Sequence, residues 1–291
     1  MSALIGLFTL LMTASPAIAH GVAAHSGPQW NFDPWISLPL ATISLLYGLG
    51  LIKVGRRARR VVPIAPRSLC FCAGALSLAG ALLSPLHWLG EHLFTFHMIE
   101  HEIVMVVSAP LMVLARPLGF MLWALPRQTR RLAGRALRSK AMSNAWNWCT
   151  RMTNATILHG VAIWAWHVPA LFDAALVSPP MHRLQHISFF ATAILFWWAL
   201  VWKIGYGVAG WNLFVTMMHT SILGALMALA PRVLYFAQTK TALSWGMTPL
   251  EDQQLAGMIM WVPAGTIYAA ACLAMFALWI QGAGRTGAQN V

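Results

Sequence analysis

The sequence predicts an all-α polytopic membrane bundle of about seven transmembrane helices. Three observations carry that expectation. The 291 residues are 59% hydrophobic and 9% charged, with a mean hydropathy of +0.66, whereas a soluble domain carries about 25% charged residues. Apolar runs long enough to cross roughly 30 Å of hydrocarbon, about 20 residues each, recur along the chain. The basic residues collect in alternate loops. The formal net charge of +12 and pI near 10.6 would suit nucleic acid only on a water-soluble basic face, so the expected partner is the lipid bilayer and not nucleic acid.

The apolar runs fall at 36–54, 68–89, 93–115, 152–175, 184–204, 212–236 and 255–280. With the start of the first run outside, Lys53, Arg56, Arg57, Arg59, Arg60 and Arg67 occupy the first inner loop. Arg116, Arg127, Arg130, Arg131, Arg135, Arg138, Lys140 and Arg151 occupy the second, and Lys203 and Arg285 also lie inside. Arg183, Arg232 and Lys240 are left outside, so the positive-inside rule orients the chain with a cytoplasmic C-terminus. The basic stretch 118–148 reads as a helix lying on anionic headgroups.

Before the first run, residues 3–12 followed by Ser15, Pro16 and Ala17-Ile18-Ala19 resemble an export signal with a small-x-small cleavage site. The expected organisation is therefore 1–19 as signal peptide, 20–35 as a short periplasmic segment, 36–280 as a seven-helix membrane domain and 281–291 as a cytoplasmic tail. Cleavage after Ala19 would leave His20 with a free amine, which with His25 can chelate a metal. The four cysteines, Cys70, Cys72, Cys149 and Cys272, are not placed for a periplasmic disulfide; the Cys70-x-Cys72 pair could bind a soft metal, but its apolar flanks make small buried hydrophobes the favoured reading.

The informative residues are the eleven histidines, because ionisable side chains within spans are costly and point to function. His97 and His101 stand at i,i+4 near the outer end of the third run and share a helix face. His182 and His186 form a second such pair at the opening of the fifth, and Trp166-His167-Val168-Pro169 brings His167 to the same end of the fourth. A rise of about 1.5 Å per residue puts these groups in one outer layer, with His87 and His92 at the lip above. We expect metal binding at His97, His101, His167, His182 and His186, with Glu100, Asp173 and Asp252 as orienting or proton-carrying carboxylates. His159 and His219 lie deeper, as an intramembrane pair bonded between helices. Imidazole donors, nearby Met98 and Met105 and no periplasmic thiol favour copper. Haem is the alternative cofactor, since facing helices also supply axial histidines, and a copper transporter would use His159 and His219 as its path. No nucleophile or general acid–base pair accompanies the histidines, so metal handling is expected rather than an enzyme.

The run His97-Met98-Ile99-Glu100-His101, followed by Pro110 and Ala115-Arg116-Pro117, resembles the CtaG family of multi-pass cytochrome c oxidase assembly factors. So do Trp166-His167-Val168-Pro169 with Phe172-Asp173-Ala174-Ala175-Leu176, the stretch from His182 to His186 before Phe196-Trp197-Trp198, and Asp252-Gln253-Gln254-Leu255-Ala256-Gly257 before Met260-Trp261. Two positions depart from the pattern, Phe172 in place of tyrosine and Gln185 in place of glutamate. The resemblance implies a bacterial inner-membrane factor that matures a caa-type haem-copper oxidase, with the oxidase subunits as partners and copper delivery as its task.

Overall fold

The computed structural model describes residues 27–56 and 64–288, with side chains to residue 282, and contains no strand among them. The expected signal peptide and both His20 and His25 lie outside the described residues. Six helices are long and apolar enough to span a membrane: α1 (Pro34–Gly55), α2 (Ile64–Leu82), α4 (Phe94–Ala115), α10 (Pro179–Trp202), α11 (Tyr206–Ala228) and the spanning part of α13 (Pro249–Ala288). A seventh crossing is bent by 74° into α8 (Met152–Trp166) and α9 (Pro169–Val177). Between the crossings lie α3 (Pro85–His92), α5 (Pro117–Ala124), α6 (Arg127–Leu137), α7 (Lys140–Cys149) and α12 (Phe236–Thr239).

The bend corrects the straight 152–175 span read from hydropathy. Pro169 cannot continue a helix from the preceding turn, and it pushes Val168 to an extended conformation, φ −69° and ψ 122°. His167 therefore ends α8, and Pro169 restarts the chain as α9. A second proline has the same effect earlier. Ser84 accepts a bond from the Leu86 amide and caps α3, with Pro85 at its first position, so the 68–89 run divides into a span and a short separate helix.

Small residues set how closely the helices approach. A Cβ on Gly257 would lie 2.4 Å from the Ala228 nitrogen and 2.7 Å from the Gly224 oxygen, so α11 and α13 meet backbone to backbone. A Cβ on Gly50 would likewise overlap the Phe120 carbonyl, which seats α5 against α1. The third crossing contains a π-helical stretch, Ile103–Ser108. The Trp197 indole donates to the Met105 carbonyl there at 3.0 Å, meeting an acceptor left by the widened ladder. Arg116 turns the chain out of this crossing in a left-handed conformation (φ 48°), its guanidinium 3.4 Å over the Trp202 ring.

The basic end of the bundle carries α6 and α7, which bury no residue and expose Leu132, Met142, Trp146 and Trp148 among arginines and Lys140. A helix of this kind suits the headgroup boundary. The histidine pairs of α4 and α10 occupy the opposite end. Reporter fusions after Arg138 are expected to read cytoplasmic, and fusions after Ser178 and Thr241 periplasmic. A reversed pair would put the histidines on the cytoplasmic face.

Candidate metal centre

Three elements bring five histidines together at one end of the bundle. His87 comes from α3, His97 and His101 from the first turns of α4, and His182 and His186 from the opening turns of α10. The His97 and His101 ring centroids are 4.2 Å apart, His101 and His186 5.2 Å, His87 and His182 5.6 Å, and His97 and His182 5.8 Å. Both pairs at i,i+4 thus face each other across the helix interface. His97, His101 and His186 are buried, and Phe172 and Phe189 close the apolar side against His97 and His101.

Glu100 sits at the middle of this group, fully buried. Its Oε1 is 2.9 Å from His87 Nδ1 and 3.3 Å from His186 Nε2, and His186 Nε2 is 2.9 Å from His182 Nε2. His87, Glu100 and His186 each offer a ligand atom, and these atoms lie within 4.8 Å of one another. A buried carboxylate needs such partners, since isolated it would neutralise instead of remaining charged. Burial alone would lower the affinity of His87 for a proton; the carboxylates of Glu100 and Glu91 outweigh it and hold the imidazole above its ordinary range. A cleft of about 450 Å³, lined by His87, Glu91, His97, Glu100, His182 and Lys240, opens beside the group.

A carboxylate from later in the chain holds the start of the helix that carries His97 and His101. Asp252 accepts from the Phe94 and Thr95 amides at 2.8 and 3.0 Å and from the Thr95 hydroxyl at 2.8 Å. It caps α4 from α13, where Leu93 supplies no side-chain cap of its own, and such a cap contributes about 0.5–2 kcal/mol. Gln253 accepts from the Leu234 and Tyr235 amides and donates to the Arg232 carbonyl, while Gln254 donates to Ala230. The loop so pinned reaches across the histidine end. The Tyr235 hydroxyl donates to the His167 carbonyl at 2.6 Å, Gln238 donates to Gly90 at 2.7 Å, and Thr241 to His92. Close packing fixes α3 as well, because a Cβ on Gly90 would lie 3.0 Å from Glu100 Oε2 and 3.2 Å from the His97 Cα.

The remaining histidines have other surroundings. His167 is buried with Nδ1 2.7 Å from the Ile163 carbonyl, which places the proton on Nδ1 and the lone pair on Nε2. His92 turns away, its Nδ1 on the Trp88 carbonyl and its ring against the Trp88 indole. His159 contacts Thr192 Oγ1 at 3.2 Å and the Tyr268 hydroxyl at 3.5 Å, and His219 accepts from the Trp164 indole at 3.4 Å. Each thus has interhelical partners of its own, although Gly160 leaves the His219 ring room beside α8. Asp173 is half-buried on α9. Gln185 is buried, with neither amide atom bonded among the described residues.

His87 and the direct contacts of Glu100 are what reading the sequence missed. His87 read as a residue at the lip, because the break at Ser84-Pro85 that folds α3 back over α4 is not visible as a gap in hydropathy. The donor set, imidazoles around one carboxylate without a thiol, fits a borderline or soft transition ion such as copper.

The profile of the cytochrome c oxidase caa3 assembly factors, Caa3_CtaG, matches residues 45–282, which takes in the second half of α1, all the later crossings and all the histidines of the centre. The chain belongs to this family. As a Caa3_CtaG protein it is similar to an uncharacterized protein of Mycobacterium leprae (strain TN), at 23% identity over 269 residues, covering 87% of this chain and 40% of the relative. An uncharacterized protein of Mycobacterium tuberculosis (strain CDC 1551 / Oshkosh) is 24% identical over 242 residues, covering 80% of this chain and 36% of the relative. The chain thus spans about two fifths of the length of these larger relatives. No solved structure matches it.

Proposed function

We propose that this Caa3_CtaG protein binds copper at its histidine end and supplies it to a haem-copper oxidase during assembly, from the inner membrane of a bacterium with that end facing the periplasm. The observation that supports this reading most is Glu100, fully buried and in contact with His87 and His186. A carboxylate is taken out of water at such a depth when it meets positive charge, and a bound cation meets that need better than a single protonated imidazole. Copper is here the cargo. His87, His97, His101, His182, His186 and Glu100 hold it, and the Ile163 carbonyl, through the Nδ1 proton, keeps the His167 lone pair on Nε2. The mouth carries Glu91 and Lys240, which let a partner dock by charge while the apolar wall of Phe172 and Phe189 keeps water from the far side.

The test uses membranes of the host without this chain. The oxidase polypeptides are expected to be present but copper-poor, with copper restored by the parent chain. Glu100→Gln, which keeps shape and removes charge, is expected to restore it roughly 10–100-fold less well at limiting copper. Oxidase replete in copper without the chain would reject the reading. Oxidase replete in copper but lacking haem would favour the haem alternative.

A further inference from the structure

We infer that Arg116 is a binding position for the phosphate of an anionic phospholipid in the leaflet at the basic end of the bundle, with Arg67 adding to its field. The distribution of charge leads there. All seven acidic side chains, from Asp33 to Asp252, belong to the histidine half: they stand at the outer starts of α1 and α13, on α3 and α9, and in the opening Phe94–Glu102 stretch of α4. The basic loops therefore hold no side-chain carboxylate, and a counter-charge for their cations comes from outside the chain.

Several cations at this end have neutral partners. Lys53 donates to the Ala124 carbonyl, Lys203 donates to the Asn147 side-chain oxygen at 2.9 Å, and Arg130 lies over the Trp123 ring. Arg116 is placed differently. It is half-buried at the end of α4, its Nε is buried with no hydrogen-bond partner among the described residues, and the charge that acts on it is the like charge of Arg67. Two cations within electrostatic reach, partly withdrawn from water, call for an anion between or beside them.

The guanidinium is nevertheless held in one place. It lies 3.4 Å over the Trp202 ring and 6.0 Å from the centre of Trp198, and the Trp202 indole is tied to the Val113 carbonyl at 3.3 Å. Stacking uses the face of a guanidinium and leaves its in-plane N–H groups for an oxyanion. The backbone of Arg116 is left-handed, φ 48° and ψ 55°, a conformation that a residue with a side chain adopts at a cost and that collects at ligand sites. Gly74 lets α2 close on α4 near this end, since a Cβ there would lie 3.1 Å from the Leu111 Cβ. Leu69 and Leu114, each two residues from its arginine, are exposed, so apolar surface adjoins the cationic position. A phospholipid supplies both the phosphate and the chains, and basic pockets between crossings recognise anionic headgroups in this way. A zwitterionic headgroup would bring its own cation to the same place.

The experiment uses the full-length protein, delipidated in a neutral detergent, and counts retained lipid by native mass spectrometry after addition of phosphatidylglycerol or phosphatidylcholine. The parent is expected to retain phosphatidylglycerol at concentrations at which it retains no phosphatidylcholine. Arg116→Gly removes the guanidinium and suits the left-handed backbone, and is expected to bind about tenfold more weakly. Where that variant elutes as aggregate, Arg116→Gln takes its place. Arg67→Ala is expected to weaken binding by a smaller factor, and Arg135→Ala, on the exposed surface of α6, to leave it unchanged. Inorganic phosphate is expected not to displace the lipid; displacement would make this a free-phosphate site and overturn the lipid assignment. Retention by the Arg116 variants equal to the parent, a loss in Arg135→Ala as large as in Arg116→Gly, or equal retention of the two lipids would each overturn the position at Arg116.

Discussion

Replacing Gly257 by leucine removes the protein from the membrane. The α11–α13 contact has no space for a side chain: a Cβ at residue 257 would sit 2.4 Å from the Ala228 nitrogen and 2.9 Å from the Met227 Cβ. Two of the three nearest atoms are backbone, so relief requires moving a whole helix. Overpacking ordinarily costs about 1–3 kcal/mol, and a rigid backbone obstacle puts this change at the top of that range. About 3 kcal/mol is on the order of a hundredfold in the folded-to-unfolded ratio. The same helix carries Asp252, whose bonds to the Phe94 and Thr95 amides cap the start of α4, so the lesion reaches the histidines as well. Immunoblots of membranes are expected to show the leucine variant near the detection limit and Gly257→Ala at an intermediate level. Parental amounts of the leucine variant would mean that the two spans do not meet as described.

Much of this architecture is legible in the sequence. Spans are set by a length requirement that hydropathy reports directly, and six of the seven expected crossings are single helices near the expected places. The two i,i+4 histidine pairs are legible because helical spacing alone puts each on one face, and the two pairs face each other across the α4–α10 interface. What hydropathy does not report is direction. The bend at Pro169 leaves the composition of 152–175 as apolar as a straight span, and the fold-back of α3 at Ser84-Pro85 hides in the same way. His87 reaches Glu100 only because of that fold-back. Asp252 carries no local sign of its task either, since the amides it caps are more than 150 residues away. The π-helical stretch is a tertiary outcome, with the Met105 carbonyl taken up by Trp197 from another helix.

The other large effect is functional. His101→Ala is expected to lower bound copper and cellular oxidase activity together, with the amount of protein in the membrane unchanged. His101 makes no hydrogen bond among the described residues and packs only through its ring, against His97, His186 and Phe189, so its loss removes a candidate metal donor without breaking a hydrogen bond. His159→Ala is the contrast. That ring sits between Thr192 and Tyr268, and an interhelical hydrogen bond contributes about 0.6 kcal/mol on average. Any loss of activity there should follow loss of protein, and is expected to be small.

The central claim is that the histidine end of the bundle binds copper, and copper per protein tests it most directly. Elemental analysis of parent, His97→Ala and His101→Ala proteins, purified from the same copper-supplemented membranes and normalised by immunoblot, is the measurement. The account predicts copper in the parent and a clear deficit in both variants at equal protein. Equal copper in all three would contradict it and make the histidines a packing feature of the bundle.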